Sequence, residues 1–290
     1  MMFMGDLLPA AEHLDQSISD YDLDQERSLT TIYGQSPSST LNIWLGFTYW
    51  MLGYPERGYN HIQLAIDIAR EVEHPFTQAM ALATGAFSYC RVRETQEATE
   101  CLDTLLPLAE EQNFNMWVVN GSLVRGIAWT QSGFEDIGIQ ALIQGLSDYQ
   151  SMGSEVSRAY HLASLAYAQG SAGQAKQALS ILEQALAHVD KSGERFGEAD
   201  IYRIKGDLLL LSDPGEGEAE DCYHRSLDIA KQQNAKSWEL RTSMRLSYLW
   251  QKQCRIQEAK ELLAGIYGWF TEGFDTPDLV EAKALLEELA

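Results

Sequence analysis

Gly46-Phe47-Thr48-Tyr49-Trp50-Met51-Leu52-Gly53-Tyr54-Pro55-Glu56-Arg57-Gly58-Tyr59-Asn60-His61-Ile62 has a spacing of small, bulky and turn residues that recurs along the chain. After Gly46, small residues stand at Ala86, Gly126, Ala166, Gly206 and Ser247, in steps of 40, 40, 40, 40 and 41. From Tyr49 runs a bulky column: Tyr89, Trp129, Leu209 and Trp250, with Gln169 as the exception. Gly53 opens a turn column of Arg93, Gly133, Gly173, Asp213 and Cys254. Gly58 opens a second small column of Ala98, Gly138, Ala178, Ala219 and Ala259. Ile62 leads a large one of Leu102, Leu142, Leu182, Tyr223 and Leu263. The single extra residue falls in the loop 212–217, where an insertion costs little.

Spacings of three and four put these residues on one helical face, so each unit reads as two helices joined by a short turn. Small residues let two helices cross closely, and Tyr49, Tyr89, Trp129 and Trp250 are expected to be the knobs seated in the grooves they leave. A lone pair leaves an apolar face uncovered, so units must stack, each against its sequential neighbours. The predicted fold is all-α: an α-solenoid of six helix pairs over 36–72, 75–112, 114–152, 154–191, 195–233 and 235–270, read as a single superhelix over 1–290. Ahead of the pairs, Gly5, Ala10, Leu14 and Ser17 repeat the turn and second-helix columns, which makes 1–20 a half repeat with an orphan helix. Residues 21–35 read as an inserted loop. Thr276-Pro277-Asp278 offers an N-cap, a first-turn proline and an acid at the positive end of a helix. The stripe Leu279, Ala282, Leu285, Leu286 and Leu289 then makes 276–290 a capping helix.

Charge narrows the partners. Lys plus Arg is 21 against 42 Asp plus Glu in 290 residues, a net −21. Long-range repulsion excludes nucleic acid and anionic membrane as natural partners. No apolar run reaches the length of a membrane span; the densest is Leu208-Leu209-Leu210-Leu211. The N-terminal stretch carries Asp6 and Glu12 and no basic residue ahead of its apolar residues, unlike a secretory signal. Four cysteines without Cys-x-x-Cys spacing make no disulfide framework, so a cytoplasmic chain with reduced thiols is expected.

A unit of this pattern resembles the tetratricopeptide repeat, its period of about 34 residues stretched here. Narrower motifs are Gly193-Glu194-Arg195-Phe196, Tyr202-Arg203, Lys205-Gly206-Asp207-Leu208-Leu209-Leu210 and Ala235-Lys236-Ser237-Trp238-Glu239-Leu240-Arg241. To these is added Tyr267-Gly268-Trp269-Phe270-Thr271-Glu272-Gly273-Phe274-Asp275-Thr276-Pro277-Asp278-Leu279. They resemble the C-terminal tetratricopeptide region of bacterial signalling proteins that join an adenylate/guanylate cyclase or DNA-binding module to an AAA-type predicted ATPase. Glu26-Arg27-Ser28-Leu29 and Tyr33-Gly34-Gln35 extend the likeness toward the N-terminus. In that group the nucleotide-handling domains precede the repeats. This sequence holds no G-x-x-x-x-G-K-[ST], and Gly215-Glu216-Gly217 is acidic, so the likeness implies a detached or truncated repeat region without the enzymatic activity.

Catalytic constellations are absent from the pattern. There is no G-x-S-x-G, and His13, His61, His74, His161, His188 and His224 are spread over separate units. Cys222-Tyr223-His224 lacks a second ligand pair, and residues two apart on a helix point different ways. Cys90 and Cys101 flank the turn of the second pair and read as free thiols. No metal, cofactor or catalytic residue is expected. The tetratricopeptide likeness implies that the first helix of each pair lines a concave face, which makes Trp50, Phe87, Asn120, Tyr160, Tyr167, Arg203, Asp207, Arg241 and Tyr248 the candidate groove. It would be aromatic at its N-terminal half and charged at its C-terminal half, with Trp50 partly exposed.

The expected function is non-catalytic: a protein–protein interaction scaffold for a protein or peptide partner, which the resemblance extends to nucleotide-binding or cyclase domains of the same system. The alternative is a sensor binding a peptide or oligosaccharide in the groove. Replacing Arg203 and Arg241 by Ala is expected to abolish partner capture without changing the melting curve. Helix Asp200, Arg203, Asp207 also has a plainer reading as surface ion pairs. Leu7, Leu8, Leu14 and Ile18 offer an edge on which two copies could pair as a homodimer.

Overall fold

The computed structural model describes residues 1–19, 26–211 and 216–290, and among these there are fifteen α-helices and no strand. Two helices come first, α1 (Leu7–Ser19) and α2 (Glu26–Tyr33). Six antiparallel pairs follow: α3 (Pro37–Leu52) with α4 (Pro55–Val72), α5 (Pro75–Val92) with α6 (Thr95–Glu111), and α7 (Asn115–Gln131) with α8 (Glu135–Ser151). The second three are α9 (Arg158–Ser171) with α10 (Ala175–Ser192), α11 (Glu198–Leu211) with α12 (Glu216–Gln232), and α13 (Lys236–Lys252) with α14 (Ile256–Tyr267). The closing helix is α15 (Pro277–Glu288). The chain is thus the all-α solenoid of helix pairs that the 40-residue period predicts.

Local chemistry sets the boundaries. Proline occupies the first position of α3, α4, α5 and α15, where its fixed φ suits the helix and its missing N–H is no loss. The turn column bends the chain back through left-handed backbone at Gly53, Arg93, Gly133, Gly173 and Cys254. Glycine takes that conformation freely; Arg93 and Cys254 take it at a cost. Asp213 of the same column lies outside the described residues. The small columns act where helices of one pair cross. A Cβ on Gly46 would stand 2.7 Å from the Gly58 carbonyl oxygen, and one on Gly126 3.0 Å from that of Gly138. The side chains against these glycines come from the second helix: Ile62 on Gly46, Leu142 on Gly126 and Tyr223 on Gly206. At Gly46 and Gly126 the second helix thus supplies the knob expected of Tyr49 and Trp129, and Trp129 is 36% exposed, whereas Tyr89 and Trp250 are buried.

Contacts divide the chain into two compact units. The N-terminal unit comprises Pro9–Trp50 and Glu56–Val156. Its core is aliphatic, with Leu45, Leu102, Leu105, Leu123 and Leu142 fully buried. The segment 21–35, expected as a loop, contains helix α2, while residues 20–25 lie outside the described residues. Hydrogen bonds rather than apolar periodicity hold α2. The buried Glu26 carboxylate accepts from the Ser36 hydroxyl, and the Ser36 N–H donates to the Thr77 hydroxyl at 2.9 Å.

The C-terminal unit comprises Ser157–Ala290 together with two remote segments, Met1–Leu8 and Met51–Pro55. Tyr223, Leu240, Leu246, Leu263, Leu279 and Leu285 form its core, so α15 does cover the last pair. The remote segments seat through glycine. Gly5 (φ +89°) lies so close to Gln233 that a Cβ there would meet the amide nitrogen at 2.6 Å. Beside it, the Phe3 carbonyl accepts from the Arg195 N–H at 2.6 Å and from the Phe196 N–H at 3.3 Å. Gly53 (φ +92°) lies against Lys236 and Trp269, each 2.6 Å from where its Cβ would be. Tyr54 meets Trp269 with ring centroids 5.4 Å apart. These two places are exceptions to the expectation that side chains meet mainly their sequential neighbours. Leu7 is 1% exposed, so the N-terminal edge that suggested a homodimer is partly covered from within the chain.

Candidate functional site

In the C-terminal unit, α9, α11 and α13 lie side by side and share one face. Asp207 is the hub of that face. Its Oδ1 accepts from the Tyr223 hydroxyl at 2.7 Å and from Arg245 Nε at 2.8 Å, while Oδ2 accepts from Arg203 Nη1 at 2.9 Å. Gly206 makes this possible: with no side chain there, the Tyr223 ring slides under α11 and its hydroxyl reaches the carboxylate. Arg203 Nε donates onward to Asp200 at 2.7 Å, which completes the row Asp200–Arg203–Asp207–Arg245. Burial alone would favour a neutral Arg203, yet its two carboxylate partners outweigh that and hold it more firmly protonated than a free arginine. Burial and the Asp207 charge together keep the Tyr223 hydroxyl protonated well above the usual tyrosine range. The row is a fixed arrangement of two acids and two bases.

Other predicted groove residues fall around it. Tyr167, on α9, is 44% exposed and lies near Arg203. Tyr248, half-buried on α13, has its hydroxyl pushed up by burial and by Glu281 and Glu288. Arg241 bonds Asp278 of α15 through Nε at 2.8 Å and Nη2 at 2.7 Å, and its guanidinium lies 5.3 Å from the Trp238 ring centre. Tyr160 is 9% exposed and stacks on Phe196, which Phe3 meets edge-on. Arg203 and Arg241 are thus structural anchors as well as groove candidates. Removing either is therefore expected to lower the melting midpoint, in place of the unchanged curve expected from the sequence, because each would abandon a carboxylate that is at most 12% exposed.

The N-terminal unit holds the remaining candidates, and its aromatics are not an open wall. Phe47, Trp50 and Phe87 surround the guanidinium of Arg91, which lies 4.4, 5.2 and 5.2 Å from their ring centres. Trp50 is 6% exposed, against the expected partial exposure, and Arg91 only 2%. Sequence reasoning passed over Arg91, although it sits two residues before the turn column, at the end of an otherwise uncharged helix. Beside this cluster a cavity of about 20 Å³ lies between Gly46, Tyr59, Ile62 and Tyr89. Asn120 is half-buried on α7. Burial pushes the Cys90 thiol up to about 12 and the Cys101 thiol up to about 11, and both are free. His224 faces Glu220 at 3.6 Å, and among the described residues no group of three or more His, Cys, Asp or Glu could hold a metal. Among them, too, no helix is long and apolar enough to cross a membrane.

Neither a protein-family model nor a curated protein matches the sequence. Solved structures do match in fold. NprR in complex with its cognate peptide NprX aligns over 99% of this chain and 81% of its own, at 16% identity and a TM-score of 0.63. The Rap conjugation gene regulator of plasmid pLS20, in complex with a Phr peptide, aligns over 99% and 73%, at 15% identity and 0.61. A STAND protein from Pyrococcus horikoshii with a tetratricopeptide repeat sensor aligns over 87% and 40%, at 12% identity and 0.52. The fold is of the tetratricopeptide type.

Proposed function

We propose that the chain is a non-catalytic interaction module that takes up a peptide or protein segment on the face shared by α9, α11 and α13. The observation that carries this reading is the row Asp200–Arg203–Asp207–Arg245 with Tyr167 and Tyr248 beside it. Its charged groups are already ordered, so a ligand that bonds them does not bear the cost of ordering them, and the exposed Tyr167 adds rigid contact area. Proteins of the same fold, NprR and a Rap regulator, have been solved with peptides bound, which supports a peptide here. The motif likeness to bacterial cyclase- and ATPase-type proteins extends the proposal to a cytoplasmic signalling role, with nucleotide-handling domains of that system among the partners.

Thermal denaturation of the purified chain against pools of short peptides and of oligosaccharides tests the reading. A saturable rise with peptide supports it. A rise with oligosaccharide alone makes the face a sugar sensor instead, and nucleotide hydrolysis by the chain would overturn the non-catalytic assignment.

A further inference from the structure

Arg245 stands apart from the other arginines of the C-terminal unit's face. Arg203 donates from both Nε and Nη1 and is 12% exposed; Arg241 donates from Nε and Nη2 and is 14% exposed. Arg245 is held to Asp207 through Nε alone and is 41% exposed. Among the described residues its two terminal amino groups meet no protein acceptor. The far end of the guanidinium, where two parallel N–H groups match the two oxygens of a carboxylate, therefore faces solvent in a fixed orientation.

The charge order along the row sharpens this. Asp200 stands at one end, Arg203 bridges to Asp207, and Arg245 closes the other end. Two acids and two bases sum to zero, yet their sequence leaves the positive charge at the Arg245 end. Asp207 is engaged on both oxygens and cannot turn to neutralise Arg245 further. One turn along α13, Tyr248 supplies an aromatic flank. In a chain of net charge −21, an outward guanidinium with an open donor pair is a local exception that favours an anion.

We propose that this end of Arg245 is a carboxylate-binding subsite, and that the segment taken up on this face presents a carboxylate to it, from a C-terminus or from an Asp or Glu side chain. The inference rests on the peptide-binding reading above. Asp207 is its positioning residue: held by Tyr223 and Arg203, it fixes the guanidinium plane before the ligand arrives.

The test equilibrates the full chain with pools of N-acetylated random hexapeptides that end in an acid or an amide, with or without Asp and Glu, and counts retained peptide by mass spectrometry. Retention from every pool except the amidated one lacking Asp and Glu supports the subsite. Retention confined to acid-terminated pools assigns the carboxylate to the C-terminus; equal retention of amidated pools that contain Asp or Glu assigns it to a side chain. Arg245→Gln should lower retention about tenfold or more, and Arg245→Lys, which keeps the charge but loses the paired donors, should fall between. If Arg245→Gln fails to fold, Arg245→Lys carries the comparison. Equal retention from all pools, unchanged in the variants, overturns the subsite and leaves peptide binding standing. Retention from no pool sinks the peptide reading. The subsite is then judged by titrating N-acetylglutamate against the Arg245 Nε–H signal, identified in NMR spectra by its loss in the variant: a saturable shift keeps it and an unmoved signal overturns it.

Discussion

Three donors converge on the Asp207 carboxylate, and the residue that lets them meet is the neighbouring Gly206. Any side chain at 206 would strike the Tyr223 ring, with its nearest carbon 2.6 Å from the new Cβ. The small residue that marks the repeat thus also builds the charged face. Arg203 bears the largest burden there, since it compensates Asp200 and Asp207 together. Arg203→Met should cost about 3 kcal/mol in urea denaturation, because two nearly buried carboxylates lose their shared partner. A loss below about 0.5 kcal/mol would show that the acids find other partners. Part of this was legible in the sequence: Asp207 and Arg245 are 38 residues apart, and Arg241 and Asp278 are 37, close to one period. Burial was not legible. A free arginine and a doubly bonded one look alike in a string of letters, and Trp50 reads as groove wall until Arg91 is seen beneath it.

Among the elements, the turns carry the most information per residue. Gly53 and Gly133 occupy the same column with similar backbone, φ +92° and +85°. Nothing lies within 4 Å of where a Gly133 Cβ would be, whereas Lys236 and Trp269 crowd that of Gly53. Gly133→Ala should therefore cost about 1–2 kcal/mol, the price of left-handed backbone for an L-residue. Gly53→Ala should cost that and about 1–3 kcal/mol more, for displacing the packed side chains. Equal changes in the two melting midpoints would mean that the Gly53 turn does not need its close packing. The column predicted the turns, Arg93 and Cys254 included, since the period alone places them. It could not separate Gly53 from Gly133, because a contact made far along the chain leaves no mark on the local spacing. Helix α2 escaped for another reason: its buried residues are Glu26 and Thr30, and the bonds through Ser36 to Glu26 and Thr77 that hold it are made only in the fold.

For the molecule as a whole, the repeat explains the stacking within each unit, and the remote segments add contacts that a nearest-neighbour array lacks. Removing residues 2–5 deletes the Phe3 carbonyl that accepts from the Arg195 and Phe196 amides, and the Gly5 backbone packed on Gln233. Amide hydrogen exchange at Arg195 and Phe196 should then quicken about tenfold, with the Leu102 and Leu142 amides of the N-terminal unit unchanged. Unaltered exchange at Arg195 would show that the N-terminal turn contributes nothing to the C-terminal unit. The fold class, its helix pairs and the closing helix were readable because stacked neighbours impose a period. The partition into two units was not, since it is drawn by Phe3, Gly5 and Gly53 reaching sites outside that period.

That partition orders events during synthesis. Residues 2–5 and 51–55 are translated long before the Arg195, Gln233, Lys236 and Trp269 that they will meet. At the ribosome the pairs α5–α6 and α7–α8 can therefore close while these two early stretches still await their docking sites, and the C-terminal unit is completed by segments made well before the rest of it.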